Sequence, residues 1–179
     1  LAGVSNDPHG SDDEFEAFYR EHYHEVRRFA RTLVADGEVD DIVSTTFTTA
    51  WQKFDQIPTE SPRGWLFGTA RNMARNRWAM SRRGRSLIEL ITDARPQLTT
   101  RLATGGFDPV EVAPLLDLLR ELSDDDRELM IMAGWFEMTP KEIAQATSQR
   151  AGNVRVRLHR LRKNLEHDFH QRVEAGEVA

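Results

Sequence analysis

The stretch Thr139-Pro140-Lys141-Glu142-Ile143-Ala144, followed by Thr147-Ser148-Gln149-Arg150-Ala151-Gly152 and then by Asn153-Val154-Arg155-Val156-Arg157-Leu158-His159-Arg160-Leu161, decides how the chain folds. Its opening residues form a capping box, in which a Thr hydroxyl and a Glu carboxylate each satisfy an orphan amide of the first turn. Pro140 takes the first helical position, where its missing N–H is no loss. A polar turn from Thr147 to Gly152 then leads to a helix with Val154, Leu158, Leu161 and Leu165 at helical spacing. A short capped helix, a turn and a basic amphipathic helix are the layout of a helix-turn-helix, whose second helix enters a major groove. With the apolar stripe turned to a scaffold, Arg155, Val156 and His159 point outward together, and Arg157 and Arg160 flank them. Outward side chains meet base edges and flanking arginines grip phosphates. A helical hairpin with a solvated charged face is the plainer alternative.

Outward from this stretch every readable segment is again helical. Ser123 caps a helix with Asp124, Asp125 and Asp126 in its first turn and Leu129, Met130 and Met132 as core residues. Before it runs a helix with Leu115, Leu116, Leu118, Leu119 and Leu122. Pro96, Gly105-Gly106, Asp108-Pro109 and Pro114 interrupt the pattern further upstream, where a linker is expected. In the first half, Ser11-Asp12-Asp13-Glu14 reads as a capping box that starts a helix carrying Phe15, Phe18, Tyr19, His22, Val26, Phe29, Ala30 and Leu33, with Gly37 as its stop. The next helix repeats Val39, Ile42, Val43, Thr46, Phe47, Ala50, Trp51 and Phe54, with Asp40 and Asp41 expected in its first turn, where the helix dipole favours them. Ser61-Pro62 opens a third, beginning Trp65-Leu66-Phe67. The expected fold is all-α: two small helical domains, 11–86 and 113–170, joined by a flexible linker at 87–112, the C-terminal domain a helix-turn-helix.

The net charge of -5 hides a segregated layout. Seven bases and no acid lie from Arg63 to Arg85, and six bases and no acid from Arg150 to Lys163. Acids dominate Leu1 to Glu25 and Asp108 to Glu128. Two basic islands in an acidic chain point to nucleic acid met through selective patches. The first island differs from the second because rings and amides are mixed into it: Arg71, Arg75, Trp78 and Arg82 share one helical face, overlapped by Asn72 and Asn76. Bases, stackable rings and amide hydrogen-bonders suit single-stranded nucleic acid, whose bases can be stacked and read on their edges. Core packing is the competing role for Trp65 and Trp78.

Several function classes drop out. The absence of cysteine excludes disulfides, thiol nucleophiles and cysteine-ligated zinc. No apolar run approaches the roughly 18–20 residues of a membrane span, and the first ten residues lack a secretory pattern. The pairs His22/His24 and His167/His170 lack the i, i+4 spacing of a helical zinc site. No catalytic constellation stands out, so no enzyme, metal or cofactor is expected, and the chain reads as cytoplasmic with no membrane partner.

With both halves in view, the chain resembles the extracytoplasmic-function sigma factors of bacterial RNA polymerase, from Asp12 to Phe169. Val39-Asp40-Asp41-Ile42-Val43 with Phe47 and Ala50-Trp51 resembles the family's polymerase-binding helix. Trp65-Leu66-Phe67 through Ala70-Arg71-Asn72 to Arg82-Arg83 resembles its promoter-melting segment. Leu122-Ser123, Arg127-Glu128, Lys141-Glu142-Ile143-Ala144, Gly152-Asn153-Val154-Arg155 and Arg157-Leu158-His159-Arg160 resemble its C-terminal helix-turn-helix.

The resemblance implies a factor that binds the clamp and flap regions of core RNA polymerase and directs initiation at chosen promoters, with an anti-sigma factor as a further partner. It implies polymerase contacts at Asp40, Asp41, Val43, Phe47 and Trp51. Minus-ten contacts are implied at Arg63, Arg71, Asn72, Arg75, Asn76, Trp78 and Arg82, with Asn72 at a flipped base and 55–63 as a pocket wall. Minus-thirty-five contacts are implied at Asn153, Arg155, Val156, Arg157, His159 and Arg160. The family's amide and acid are replaced by Ser44 and Thr45, and its Leu-Gly-Ile turn by Thr147-Ser148-Gln149, so Ser148 is expected to bear the strain of a positive φ. The alternative is a stand-alone helix-turn-helix regulator with an N-terminal sensing domain, against which the Asn/Trp/Arg helix argues.

Overall fold

The computed structural model describes residues 8–80 and 117–174, and among these every regular element is helical. They form α1 (Pro8–Ala30), α2 (Asp36–Gln52), a 3-10 turn (Phe54–Gln56), α3 (Pro62–Met80), α4 (Asp124–Met130), a π turn (Ile131–Trp135), α5 (Pro140–Thr147) and α6 (Ala151–Glu174). A short helical stretch at 117–121 precedes α4. The expected linker at 87–112, the apolar patch at 87–91, Leu115, Leu116 and Arg82 lie outside the described residues.

α1, α2 and α3 pack on one another through the apolar stripes seen in the sequence. Val26, Phe29 and Ala30 of α1 meet Val39, Ile42, Val43, Phe47 and Ala50 of α2, and all are buried, as are Leu66 and Phe67 of α3. Two boundaries differ from expectation. α1 begins at Pro8 rather than after Ser11, because a proline at the helix start already holds a helical φ. Gly37 lies in the first turn of α2 instead of ending α1. The chain leaves α1 by a hydrogen-bonded turn in which Leu33 N–H and Val34 N–H donate to the Ala30 carbonyl, which drives Leu33 and Val34 into the core. In consequence Asp36 and Glu38, not Asp40 and Asp41, occupy the first turn of α2. Ser61 stands directly before α3 as expected, but its buried hydroxyl makes no hydrogen bond.

The C-terminal half follows its caps closely. Ser123 Oγ accepts from the Asp126 amide at 3.2 Å and starts α4. The Glu142 amide donates to Thr139 Oγ1 at 3.3 Å while the Thr139 amide donates to Glu142 Oε2 at 2.7 Å, completing the capping box of α5. Val154, Leu158, Leu161 and Leu165 are buried along α6. Between α5 and α6 Ser148 takes φ 55°, the left-handed conformation expected of it. Glu137 also has a positive φ, 52°, where the chain turns between buried Phe136 and Met138.

The largest departure from two separate bundles is the joint between the halves. α3 packs along α5, and one buried cluster runs from Val26 to Leu158 through both halves. Phe29 and Phe67 stack at 4.1 Å, and Phe136 from the C-terminal half sets its edge against both, at 5.4 and 5.1 Å. Gly64 and Gly68 let the two helices close in. A Cβ on Gly64 would lie 2.8 Å from the Glu142 carbonyl, and one on Gly68 3.1 Å from Ala146 Cα.

Two outcomes follow from this packing. Among the described residues, Phe136→Ala removes the only ring that the C-terminal half sets against the Phe29–Phe67 stack. It should lower the unfolding free energy by about 3–5 kcal/mol in urea titration, and a loss under about 1 kcal/mol would mean that the joint contributes little to stability. Ser148→Gly should raise stability by about 1 kcal/mol, because glycine occupies the left-handed region without the Cβ clash. A loss of stability in the same titration would show that the serine is not strained there.

Candidate nucleic-acid and polymerase interface

The groups singled out in the sequence fall on three separate helix faces. On α2, Asp40, Asp41, Ser44, Thr45, Thr48 and Trp51 form one exposed face. Asp40 pairs with Arg27 at 3.1 Å, and Asp41 with Arg77 at 2.9 Å, which ties α2 to α1 and α3 while leaving both carboxylates largely in solvent. Trp51 is 47% exposed, its ring edge-on to Phe15 at 4.8 Å, and Tyr19 of α1 is 37% exposed. Val43 and Phe47, expected with them as contacts, are buried on the opposite side, so here they anchor the helix instead of facing outward.

On α3, Asn72 and Asn76 are exposed. The arginines around them are engaged. Arg71 is nearly buried and its Nε donates to Glu128 Oε1 at 2.7 Å. Arg75 pairs with Asp125 at 2.6 Å and with Glu128 at 3.6 Å. Arg63 pairs with Glu25 at 2.8 Å and Glu142 at 3.8 Å, and donates to the Phe136 carbonyl. Arg77 pairs with Glu38 and Asp41. Trp78 lies on the last turn of α3. Leu66 and Phe67 are core, and Trp65 is half-buried against it. Nearby, burial lowers the pKa of His22 from 6.5, against the pull of Glu21 and Glu25, and Phe18 lies edge-on to its ring at 4.7 Å.

On α6, Asn153, Arg155, Val156, His159 and Arg160 are exposed, as the apolar stripe requires. Arg157 is half-buried and its Nε donates to Asp126 Oδ1 at 2.6 Å, so it braces α6 on α4 in this conformer. Sequence reading passed over the acids opposite the arginines, because Asp125, Glu128 and Glu142 lie more than forty positions away from their partners. It also passed over Arg127, which is 1% exposed. Its guanidinium donates to the carbonyls of Leu119, Arg120 and Leu122 and pairs with Asp124, holding the 117–121 stretch to α4. Only its place on the inner side of α4, two residues before buried Leu129, could have marked it.

Among the described residues there is no cluster of potential metal ligands, and no helix long and apolar enough to cross a membrane.

Comparison with known proteins matches both halves in order. Residues 18–84 match the model of sigma-70 region 2, and 113–165 that of sigma-70 region 4, together about two thirds of the chain. The RNA polymerase sigma-E factor of Streptomyces avermitilis is 27% identical over 165 residues, covering 92% of this chain and 89% of that protein. The ECF RNA polymerase sigma factor SigC of Mycobacterium tuberculosis is 28% identical, covering 87% and 83%. Two solved structures share the fold. One is CnrH in complex with the cytosolic domain of CnrY, with TM-score 0.59, 24% identity, and 87% of each chain covered. The other is the sigma factor RpoE of Bartonella quintana with the anti-sigma factor NepR, with TM-score 0.56, 21% identity, and 87% and 96% covered. Helices that carry region 2 and region 4 in sequence order, with relatives that align across both, leave one assignment: the chain belongs to the sigma-70 family, as an extracytoplasmic-function sigma factor that directs promoter-specific transcription initiation.

Proposed function

We propose a division of labour within this sigma factor, with residues 11–86 and 113–170 as its working units and 87–112 as the connection. The exposed face of α2 (Asp40, Asp41 and Trp51) docks on core RNA polymerase, with Val43 and Phe47 fixing that face from behind. α3 captures the minus-ten strand: Asn72 and Asn76 read base edges, and Arg63, Arg71, Arg75, Trp78 and Arg82 hold backbone and stack. α6 reads the minus-thirty-five duplex with Arg155, Val156 and His159, while Asn153, Arg157 and Arg160 grip phosphates.

The observation that supports this reading best is that Asn72 and Arg155 both stay exposed although the halves share one core. Opening a duplex costs on the order of 1 kcal/mol per base step in lost stacking, and binding an unstacked base offsets part of that. The polymerase supplies the remaining surface. The sigma family is not an enzyme family, and we assign no catalysis to this chain. The structures of CnrH and RpoE hold those proteins with CnrY and NepR, and an anti-sigma partner and a cytoplasmic site of action are inferred here by likeness.

Reconstitution of core polymerase with this protein should give discrete transcripts from cognate promoters, and a protein that neither binds core nor directs initiation would refute the assignment of roles. In that assay Asn72→Ala should reduce transcription from duplex promoters and regain it on pre-melted ones. Arg155→Ala should cost ~1–3 kcal/mol of binding at one promoter position, while Arg160→Ala should weaken all sequences alike.

A further inference from the structure

Of the six α6 residues assigned to minus-thirty-five DNA, Arg157 alone holds an acid among the described residues. Its Nε donates to Asp126 Oδ1 at 2.6 Å, with the two side chains 37% and 25% exposed. Among the described residues neither of its terminal nitrogens makes a hydrogen bond. The carboxylate is itself fixed. Ser123 Oγ donates to Asp126 Oδ2 at 2.8 Å and accepts from the Asp126 amide at 3.2 Å. The helix beneath is fixed as well, because buried Arg127 ties α4 to the carbonyls of Leu119, Arg120 and Leu122. Farther along α6, Arg172 reaches Glu121 at 2.6 Å. A chain of contacts thus runs from the cap of α4 to one edge of the Arg157 guanidinium and leaves its other edge open. Asp126 has no place among the residues assigned above to DNA or polymerase.

An arginine free on a surface attracts any phosphate and loses its rotamer freedom on contact. One held through Nε has lost that freedom already, and meets only a phosphate placed along its remaining edge. The carboxylate also cancels much of its charge at long range, which weakens attraction to DNA of arbitrary sequence. We propose that Asp126 is a positioning residue for minus-thirty-five recognition. It holds Arg157 so that the terminal nitrogens take one backbone phosphate, and so turns a general anchor into a register contact. Phosphate contacts set the register in which base-reading side chains meet their edges. Arg155, Val156 and His159 therefore fall on the base pairs they discriminate only when that phosphate is seated. This inference rests on the assignment of α6 to the minus-thirty-five duplex.

Core polymerase reconstituted with the parent or a variant selects from duplexes randomised over both promoter elements, and sequencing gives the preference at every position. Affinity is then measured against salt for the best parent duplex and for the same duplex with its minus-thirty-five element scrambled. The parent should prefer the intact element. Asp126→Asn keeps an acceptor for Ser123 but lacks the charge that holds Arg157. It should bind the scrambled duplex about threefold more tightly and lose at least about threefold in preference for the intact element. Arg157→Lys keeps a positive charge but not the planar fork, and should lose the preference without changing the salt slope. Arg157→Ala should make the log–log salt slope shallower by about 0.9, the share of one phosphate. With Arg157→Ala in place, Asp126→Asn should change nothing further, because Asp126 acts through Arg157.

An equal effect of Asp126→Asn with and without Arg157 would overturn the proposal, since any loss of negative charge near DNA does the same. So would an unchanged salt slope in Arg157→Ala with helicity retained by circular dichroism, which makes the pair a brace and nothing more. Asp126→Asn and Arg157→Lys each break the pair, so misfolding of one leaves the other to decide. A parent holoenzyme without preference in the minus-thirty-five element, or with one that Arg155→Ala and Arg160→Ala leave unchanged, would refute the assignment of α6 itself, and the proposal with it.

Discussion

The fold turns on the buried joint between the halves, to which Arg71 and Glu128 contribute an ion pair and Phe136 a ring. Two kinds of force act there, and they do different things. Burial of Phe136 against Phe29 and Phe67 supplies attraction, but apolar contact is nondirectional and would accept neighbouring registers of the C-terminal helices on α3. The guanidinium and carboxylate supply the register. Displaced by one helical turn, each would be a charge without a partner in a dry place, an error of several kcal/mol. The glycines act on the same joint from a third direction. Gly64 and Gly68 admit the α5 backbone so closely that any side chain at either position would have to push it away.

This explains which parts of the molecule were legible in the sequence. The helix-turn-helix was, because every signal it needs is local. Ser123 and Thr139 sit within three residues of the amides they cap. Val154, Leu158, Leu161 and Leu165 announce the inner side of α6 by spacing alone, and the outward set Arg155, Val156 and His159 follows by subtraction. The left-handed Ser148 was legible only through the family resemblance, in which a glycine stands at its place. Long-range pairings had no such trace. Arg71 and Arg77 look alike in a run of bases, yet one is buried against Glu128 and the other lies on the surface with Asp41. Periodicity reports which side of a helix is apolar. It does not report that an arginine on that side has an acid waiting for it on a helix fifty residues on.

The boundary errors have local causes of their own. Ser11-Asp12-Asp13-Glu14 has the pattern of a helix start, but Pro8 precedes it and begins the helix earlier. Gly37 reads as a stop only if Leu33 is taken as the last helical residue. In fact Leu33 and Val34 enter the core through a turn, and Gly37 joins the next helix. Past Met130 the helix widens into a π turn, which adds a residue to one turn and shifts the apolar phase. That shift carries Phe136 to the joint, and Glu137 takes up the left-handed bend that returns the chain to α5.

Charge in this chain therefore cannot be read as a list of contacts. Taken in sequence, the basic island from Arg63 to Arg85 is a run of seven positive groups, four of them on α3. In the fold, Arg63 and Arg71 are drawn inward, Arg75 is shared, and Arg77 stays with α2. Among the described residues, what remains outward on α3 is Asn72 and Asn76, with Arg75 between them paired to Asp125. Amides hydrogen-bond but carry no charge, so this surface lacks the long-range attraction for a phosphate backbone that free arginines would have. The acid-rich segment before and within α4 is the counterpart of that island. Its carboxylates satisfy the same guanidinium geometry that a phosphate would, through bonds of the same kind and length.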